Sequence, residues 1–385
     1  MKILELYYEP IISGQTAHVL PLSKGLVSRG HEVTVVLPTC LNAISSEYQD
    51  AGVKVRLLQM QKLLWPIKSI IAFLYLLHRE KFEIVHIHSQ EAGITARFLS
   101  WVKGVKNIFY TPQTIDIRQD HWYLIYIIIE KTLAFMTHQI FSVNFPDAQR
   151  MIKWGISTDK LSVVPNGIEL SKFNHLEIRE STCKQLGINS KFPVIMQIAR
   201  ISPQKNPLMF IRGAKYVLAE CPNAQFVWIG EGPGFVDIKS KVETLKLQDN
   251  IYFLGRIDQA YRYLTAADVV TLTSRWEGLP FSILEAMACS KPVVVTAVNG
   301  CQDLVIHNKT GYLVELDDAS NWAKSILQLL ADPLLSQSMG STAKRIVEEK
   351  YSLSTMITRI EEAYASSLSL IVLIFFFIFP KFLVS

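Results

Sequence analysis

The sequence has few cysteines and none of the spacings that build a disulfide framework or a metal centre. It contains five cysteines, an odd number, and neither a Cys-x-x-Cys nor an Asp-x-Asp motif. These absences argue against a disulfide-stabilised secreted domain and against dependence on a metal. The cysteines are expected to be reduced thiols in a reducing compartment, at Cys40, Cys183, Cys221, Cys289 and Cys301.

Long apolar runs are also scarce. The N-terminus reaches Glu5 before any apolar run of signal-peptide length, so a cytoplasmic location is expected. Residues 368–379 do form an apolar run, but a helix of that length spans only about 18 Å, against about 30 Å for the hydrocarbon core of a bilayer. Three interpretations of this tail stay open: attachment to a membrane or its interface, a buried terminal segment, or a chain end that does not belong to the pattern of the rest of the chain.

Charge is sparse and nearly balanced. Charged residues make up 19% of the chain, and 39 basic against 34 acidic side chains give a net charge of +5. Basic clusters interleaved with aromatic residues are absent, so no nucleic-acid partner is expected. A small positive excess suits diphosphate substrates or an anionic lipid surface.

Apolar residues are abundant, at 49% of 385 residues, which is enough to fill two cores. Strand patterns alternate with helical patterns in two series, which predicts an α/β fold with two Rossmann-like domains and parallel sheets. Ligands of such sheets bind at the carboxyl ends of the strands, so the active site is expected between the halves. The predicted organisation is a first domain at 1–170, a linker at 171–190, a second domain at 191–350, a helix returning to the first domain at 351–367 and the hydrophobic tail at 368–385.

The most informative motif places two glutamates, Glu277 and Glu285, eight residues apart across the predicted start of a helix. Pro280 suits the first helical turn, because its missing N–H costs nothing there. The free N–H groups of Phe281 and Ser282 would then face an anion such as a phosphate. The carboxylates are expected to accept hydrogen bonds from sugar hydroxyls, since they would repel a diphosphate.

Two basic residues, Arg200 and Lys205, follow a strand pattern at 194–198. They would lie where the carboxyl end of that strand opens to the site. A leaving diphosphate develops negative charge, which fixed cations stabilise. Gly14 stands in a turn before a predicted helix and would let the backbone approach a phosphate or an acceptor.

Together these motifs resemble the retaining glycosyltransferases of family 4, which have the two-domain GT-B fold. Gly-Leu-Pro and Glu-Ala-Met-Ala segments accompany Glu277 and Glu285, and further matches in order and spacing lie at 198–205, 229–233, 253–256 and 267–269. The likeness covers about residues 1–365 and is stronger in the second half. It implies an acceptor domain and a nucleotide-sugar-binding domain that face each other across a cleft.

The resemblance also implies roles for individual residues. Glu277 would lie near the hydroxyls and anomeric carbon of the donor sugar, and Glu285 would bind the ribose hydroxyls. Arg200 and Lys205 would bind the diphosphate. Arg256 would border the nucleobase, although an ordinary surface arginine fits that position equally well. The other donor-binding candidates are Gly14, Leu279, Phe281 and Ser282, and the resemblance implies no cofactor and no metal.

Two histidines, His86 and His88, lie on one face at the end of a predicted strand. His88 is the better catalytic candidate, and His86 is more compatible with a core histidine whose hydrogen bonds are satisfied. Neither a carboxylate nor a cysteine stands nearby in the sequence to complete a metal site.

The segment at 111–114 departs from the family pattern, because a histidine commonly occupies the position of Gln113. Glutamine donates a hydrogen bond but cannot become a cation. Three interpretations stay open: Gln113 is a weaker catalytic residue, His88 or His121 compensates for it, or the protein is not catalytic. Ser13 also stands where the family more often has another glycine.

Two apolar and aromatic segments flanked by basic residues, at 62–81 and 121–131, either dock on a bilayer or form core helices of the first domain.

The hypothesis is a hexosyltransferase that moves a sugar from a nucleotide-diphosphate donor to a membrane-presented glycan or lipid-linked acceptor. It would act in cell-surface polysaccharide or lipopolysaccharide synthesis, at the inner face of the plasma membrane. The alternatives are a nucleotide-sugar 2-epimerase of the same fold and a non-catalytic subunit of a polysaccharide assembly complex.

Overall fold

The computed structural model of the chain describes residues 1–9, 14–61, 65–115 and 123–378. It divides into two compact units. The first comprises Met1–Gly167 together with the C-terminal segment from Leu353, and the second comprises Ile168–Ser352. Residues 171–190, predicted as a linker, lie in the second unit and include a helix at Arg179–Leu186.

The first unit is built on a seven-stranded sheet in which neighbouring strands are parallel, in the order β3-β2-β1-β4-β5-β6-β7. The last of these strands has only three residues, too short for a recognisable pattern, and the sequence analysis missed it. The strands are β1 Lys2–Tyr7, β2 Glu32–Pro38, β3 Lys54–Leu58, β4 Ile84–His88, β5 Ile108–Thr111, β6 Gln139–Ser142 and β7 Leu161–Val163.

Helices cover both faces of this sheet, and its central strands are accordingly buried on both sides. One core joins the sheet to α3 through α6, and the other joins it to α1, α2 and the C-terminal helix. Glu5 alternates along β1 with Leu4 and Leu6, which belong to the first core, so its side chain lies on the face that packs against α1, α2 and the C-terminal helix. The helices are α1 Gly14–Ser28, α2 Ser45–Gln49, α3 Ile67–Glu80, α4 Gln90–Val102, α5 Tyr123–Phe135, α6 Phe145–Lys153 and the C-terminal helix Leu353–Ile378.

The second unit repeats this plan with six parallel strands in the order β10-β9-β8-β11-β12-β13. The prediction of two Rossmann-like α/β domains is therefore confirmed. The strands are β8 Val194–Ile198, β9 Gln225–Ile229, β10 Ile251–Phe253, β11 Val269–Leu272, β12 Val293–Thr296 and β13 Gly311–Val314. The helices are α7 Arg179–Leu186, α8 Pro207–Glu220, α9 Phe235–Thr244, α10 Phe281–Ala288, α11 Asn299–Leu304, α12 Ala319–Ala331 and α13 Pro333–Lys350.

The C-terminal helix packs closely against α1. A Cβ atom added to Gly25 would lie 2.1 Å from Ile357 Cδ1, so a larger residue would require the Ile357 side chain to move. Glu361 also accepts hydrogen bonds from Arg29 and His31, each at 2.6 Å. In the described part of the chain, no helix has both the length and the apolar character that crossing a bilayer requires.

Candidate active site

Lys205 and Glu277, predicted from separate motifs, form an ion pair in the second unit. Lys205 Nζ lies 2.5 Å from Glu277 Oε1, and the Ser274 hydroxyl donates to the same oxygen at 2.5 Å. Both charged side chains are largely buried. The pair forms because Lys205 ends a short turn after β8 while Glu277 follows β11, and these strands are neighbours in the sheet.

Helix α10 begins directly after this loop. The prediction that Pro280 lies in its first turn is off by one residue: Pro280 has extended φ/ψ and precedes the helix as its N-cap. Its carbonyl accepts from the N–H groups of Ile283 and Leu284. The N–H groups of Phe281 and Ser282 make no backbone hydrogen bond to the described residues, which leaves two donors at the helix N-terminus.

Glu285 lies about one turn further along α10 and is partly exposed. Burial of its carboxyl raises the pKa of Glu285 to about 7, and the positive charge of Lys172 opposes this rise. A carboxyl with such a pKa changes charge near neutral pH, so a ligand that prefers the anion can displace its proton.

Arg200 and Arg256 are both exposed, and the structure does not pair them with Lys205 or Glu277. Arg256 Nη2 instead lies 3.3 Å from Asp258 Oδ1. Glycines pack directly against the backbone around Arg200: a Cβ on Gly230 would lie 2.1 Å from Ala199 O. This contact explains the first glycine of the Gly-Glu-Gly motif, and the donor-binding roles of the two arginines stay predictions.

Two supporting residues were missed by the sequence analysis. Asp317 accepts from Asn206 at 2.9 Å and from Arg275 at 3.1 Å, and these hydrogen bonds join the turn of Lys205 to the loop before Glu277. The hydrogen bond from Asn206 is the main cause that lowers the pKa of Asp317. Gly300 faces the same loop, where an added Cβ would lie 1.8 Å from Gly278 O. In the sequence, the one sign of these roles is that Asp317 follows β13 and Gly300 follows β12, so that both lie at the same edge of the sheet.

In the first unit, Gly14 is the exposed first residue of α1, whereas Ser13 lies outside the described residues. Leu279, in the second unit, is buried. Neither placement tests the predicted contact with a donor. His121, named as a residue that compensates for Gln113, also lies outside the described residues.

His86 and His88 lie beside a buried carboxylate, contrary to the expectation that none stands near them. Glu5 Oε2 and His88 Nε2 share a hydrogen bond, because β1 and β4 are paired with Glu5 opposite His86. His86 Nδ1 lies 2.5 Å from the Tyr364 hydroxyl and its Nε2 lies 2.8 Å from Thr111 Oγ1. His86 is therefore a core histidine with both nitrogens partnered.

This cluster also resembles a metal site in composition. Ligand atoms of Glu5, His86 and His88 lie within 4.8 Å of one another. Both nitrogens of His86 already have hydrogen-bonding partners, which favours a hydrogen-bonded network. Burial raises the pKa of Glu5 well above its ordinary value and lowers the pKa of His88 to about 3.

Gln113 is buried and has a left-handed backbone, with φ of 66°. Its side-chain Nε2 is buried without a hydrogen-bonding partner among the described residues. A non-glycine residue at such a φ, with an unmatched buried donor, is the kind of strain that functional sites retain. The strain is compatible with a role for Gln113 and does not assign one.

Two family models match nearly the whole chain. The model described as Glycosyltransferase Family 4 matches residues 12–172, and the model described as Glycosyl transferases group 1 matches residues 178–346. The chain is 28% identical, over 94% of its length and 96% of the relative, to an Escherichia coli UDP-Gal:alpha-D-GlcNAc-diphosphoundecaprenol alpha-1,3-galactosyltransferase. It is 24% identical, over 77% of its length and 80% of the relative, to the Staphylococcus aureus capsular polysaccharide biosynthesis glycosyltransferase CapM.

Solved structures show the same fold. Anabaena HepE, in a complex with UDP-glucose, matches 95% of this chain and 100% of its own with a TM-score of 0.82 and 21% identity. A sucrose-phosphate synthase from Thermosynechococcus elongatus matches 96% of this chain and 100% of its own with a TM-score of 0.79 and 20% identity.

Proposed function

The chain belongs to the glycosyltransferases, with a family 4 first half and a group 1 second half, and on this premise we propose that it transfers a hexose with retention from a nucleoside-diphosphate donor to a lipid-linked acceptor. The observation that carries the donor side is the Lys205–Glu277 pair beside the N-terminus of α10. The family inferred from the motifs is confirmed, and the protein is a hexosyltransferase that uses a nucleotide sugar.

The donor is held by charge and by backbone donors. Lys205 and the N–H groups of Phe281 and Ser282 supply positive potential for a diphosphate. Glu285 accepts hydrogen bonds from the ribose hydroxyls. These fixed groups stabilise the charge that develops on the leaving diphosphate, so we propose that the reaction needs no metal ion.

Retention is supported by the state of Glu277. Its carboxylate is engaged by Lys205 and Ser274, which suits binding of donor hydroxyls better than nucleophilic attack. The departing phosphate oxygen then takes the proton of the acceptor hydroxyl, on the same face of the sugar that the acceptor attacks.

The acceptor side is supported by an apolar, cationic outer face on α3, α4 and α5. Helix α4 packs beside both α3 and α5. Their inner side chains enter the core, so the predicted segments 62–81 and 121–131 contribute core helices where they are described. Their outer face nevertheless exposes ten large apolar side chains: Ile67, Ile71, Tyr75, Phe98, Trp101, Val102, Leu124, Ile125, Ile128 and Phe135.

The charges around this outer face fit anionic lipid. The two acidic residues on these helices whose side chains are described, Glu80 and Glu130, are paired with Lys2 and Arg97. Aromatic rings beside lysines are typical of a membrane interface. We therefore propose peripheral binding to the cytoplasmic leaflet, which presents the lipid-linked acceptor. The exposed basic residues on or shortly after the helices include Lys68, His78, Arg79, Lys81, Lys103, Lys106 and Lys131.

The activity test uses the full chain with UDP-galactose, UDP-glucose or GDP-mannose and a short-chain polyprenyl-diphosphate N-acetylglucosamine. We expect nucleoside diphosphate to be released only when both substrates are present, and the anomeric configuration of the product to match that of the donor. Release without the acceptor, with a donor epimer formed, supports the 2-epimerase. An inverted product refutes retention, and a loss of activity in EDTA that Mg²⁺ or Mn²⁺ restores refutes metal independence.

Gln113 favours a non-catalytic subunit as the second candidate. If the wild-type chain binds UDP-sugars without turnover, and Gln113→His remains inactive, that candidate is supported and the transferase proposal fails.

Binding to lipid is tested by sedimentation with phosphatidylcholine vesicles that contain or lack phosphatidylglycerol. We expect salt-sensitive binding to the anionic vesicles, weakened about tenfold or more by the double variant Trp101→Ser/Phe135→Ser. Leu334→Ser is the matched control, because Leu334 is 78% exposed in the second unit. Equal binding by the double variant and the wild type refutes docking through this face.

A further inference from the structure

One buried network surrounds Glu5 on the face of the first sheet that packs against α1, α2 and the C-terminal helix. Glu5 Oε2 contacts His88 Nε2, and the Tyr364 hydroxyl lies 3.3 Å from Glu5 Oε1. Tyr364 belongs to the C-terminal helix and also contacts His86. All four side chains are fully buried. The network therefore ties the C-terminal helix to the two strands that carry the predicted catalytic histidine.

A third histidine, His18, lies next to this network on α1. Its ring centroid is 5.1 Å from that of His88. His18 Nδ1 lies 2.8 Å from the amide oxygen of Asn166, an acceptor, so the ring proton of neutral His18 is on Nδ1. Its Nε2 is then a bare acceptor, and it is buried without a hydrogen-bonding partner among the described residues.

The tautomer of His88 follows from its burial with Glu5. Burial disfavours both a lone carboxylate and an ion pair here: it raises the pKa of Glu5 and lowers the pKa of His88. The neutral carboxyl then donates its O–H to His88 Nε2, which leaves the ring proton on His88 Nδ1. This Nδ1–H is also buried without a partner in the described structure.

The two unmatched nitrogens are thus one donor and one acceptor on adjacent rings. We propose that His88 Nδ1 and His18 Nε2 together bind one hydroxyl group of the acceptor sugar. The hydroxyl oxygen accepts from His88 while its hydrogen is donated to His18. A fully deprotonated anion has no hydrogen for His18 and an ammonium has no lone pair for His88, whereas a hydroxyl satisfies both nitrogens.

His18 and His88 are 2% and 0% exposed, so the acceptor hydroxyl would enter a buried site rather than an open pocket. His88 ends β4, at the carboxyl edge of the sheet where ligands of this fold bind. The Gln15 amide, oriented to donate, lies 3.1 Å from His88 O and 3.0 Å from Tyr8 O, which ties the start of α1 to this edge. Glu5 is then a positioning residue that sets the tautomer of His88. The assignment rests on the proposed transferase function.

The first experiment needs no activity. Nitrogen NMR of the chain labelled with ring-¹⁵N histidine reports which nitrogen of His88 and of His18 carries the proton, with signals assigned through His18→Leu and His88→Gln. We expect Nδ1–H in both rings, and a shift of the His18 Nε2 signal on addition of the lipid-linked N-acetylglucosamine. A proton on His88 Nε2, or no shift at saturating acceptor, overturns the proposal.

The second experiment is a kinetic cycle with monodeoxy acceptors that keep the reacting hydroxyl. For wild type, we expect one analogue to raise KM about tenfold with little change in kcat. His18→Leu should raise KM for the full acceptor by a similar factor and lose discrimination against that analogue alone. His138→Leu, an exposed histidine of the same unit, should keep wild-type discrimination.

Equal discrimination by His18→Leu and wild type at every position means that the pair holds a structural water, and overturns the proposal. If no acceptor is turned over, the proposed function fails, and the NMR titration still decides whether the pair binds the acceptor.

Discussion

Binding of a nucleotide sugar is expected to release a proton from Glu285. Burial raises the pKa of this carboxyl to about 7, so that about half of the free protein is protonated there at pH 7. A carboxylate that accepts hydrogen bonds from ribose hydroxyls is favoured in its charged form. The pKa of Glu285 is therefore lower in the complex, and binding displaces the proton.

The magnitude follows from the two pKa values. If the pKa of Glu285 returns to its ordinary 4.5 in the complex, binding at pH 7 releases about half a proton and binding at pH 9 releases almost none. Affinity is then highest at alkaline pH and is lost as the pH falls through 7. The same pKa values predict an affinity about fifteenfold weaker at pH 5.5 than at pH 7.

The assay is titration calorimetry with UDP-glucose in buffers of different ionisation enthalpy. A nucleotide sugar is the right probe, because its diphosphate lacks the terminal phosphate that titrates near pH 6. Glu285→Gln is neutral at every pH and should release about half a proton less than wild type at pH 7. Equal proton release by wild type and Glu285→Gln would refute the assignment of the Glu285 carboxylate to the ribose.

Three further substitutions test the packing of the site. Lys205→Met should destabilise the second unit by about 3 kcal/mol, because it leaves the buried Glu277 carboxylate without its cation. Urea unfolding with and without UDP-glucose measures the loss of stability and of binding. Unchanged stability would contradict the ion pair's role. Gly300→Ala should cost about 2 kcal/mol and raise KM for the donor, since its Cβ would meet Gly278 O, and a silent variant in both assays would argue against this packing. Gln113→Gly should stabilise the chain by about 1 kcal/mol by relieving its left-handed backbone, and should lower kcat if the amide binds substrate. A loss of stability would show that backbone strain is outweighed by the packing of the Gln113 side chain.

The meeting of Lys205 with Glu277 could be predicted from the sequence, because the signals there are local. A strand followed by Lys205 and a loop followed by α10 are short patterns in which residue type and order imply the geometry. Their meeting also follows from topology, since β8 and β11 are neighbours. Arg200 and Arg256 also follow strands, but the order of residues does not fix where a long, exposed side chain points. Their donor-binding roles therefore stay predictions.

The buried histidine cluster of the first unit was predicted less completely. Glu5 and His88 are 83 residues apart, and Tyr364 is 359 residues from Glu5. Nothing local in the first strand distinguishes Glu5 from an exposed edge carboxylate, so its contact with His88 was missed and a carboxylate was wrongly thought absent from the histidine pair.

By itself, the order of residues determined the fold class and the plan of two Rossmann-like units, because hydrophobic periodicity and helix termini act over a few residues. Only the tertiary structure decided which polar groups share a buried environment. Strand pairing and the return of the C-terminal helix bring distant side chains together in a medium where a charge is costly. There the pKa values of Glu5 and His88, and the two ring nitrogens without partners, are consequences of packing that no short motif contains.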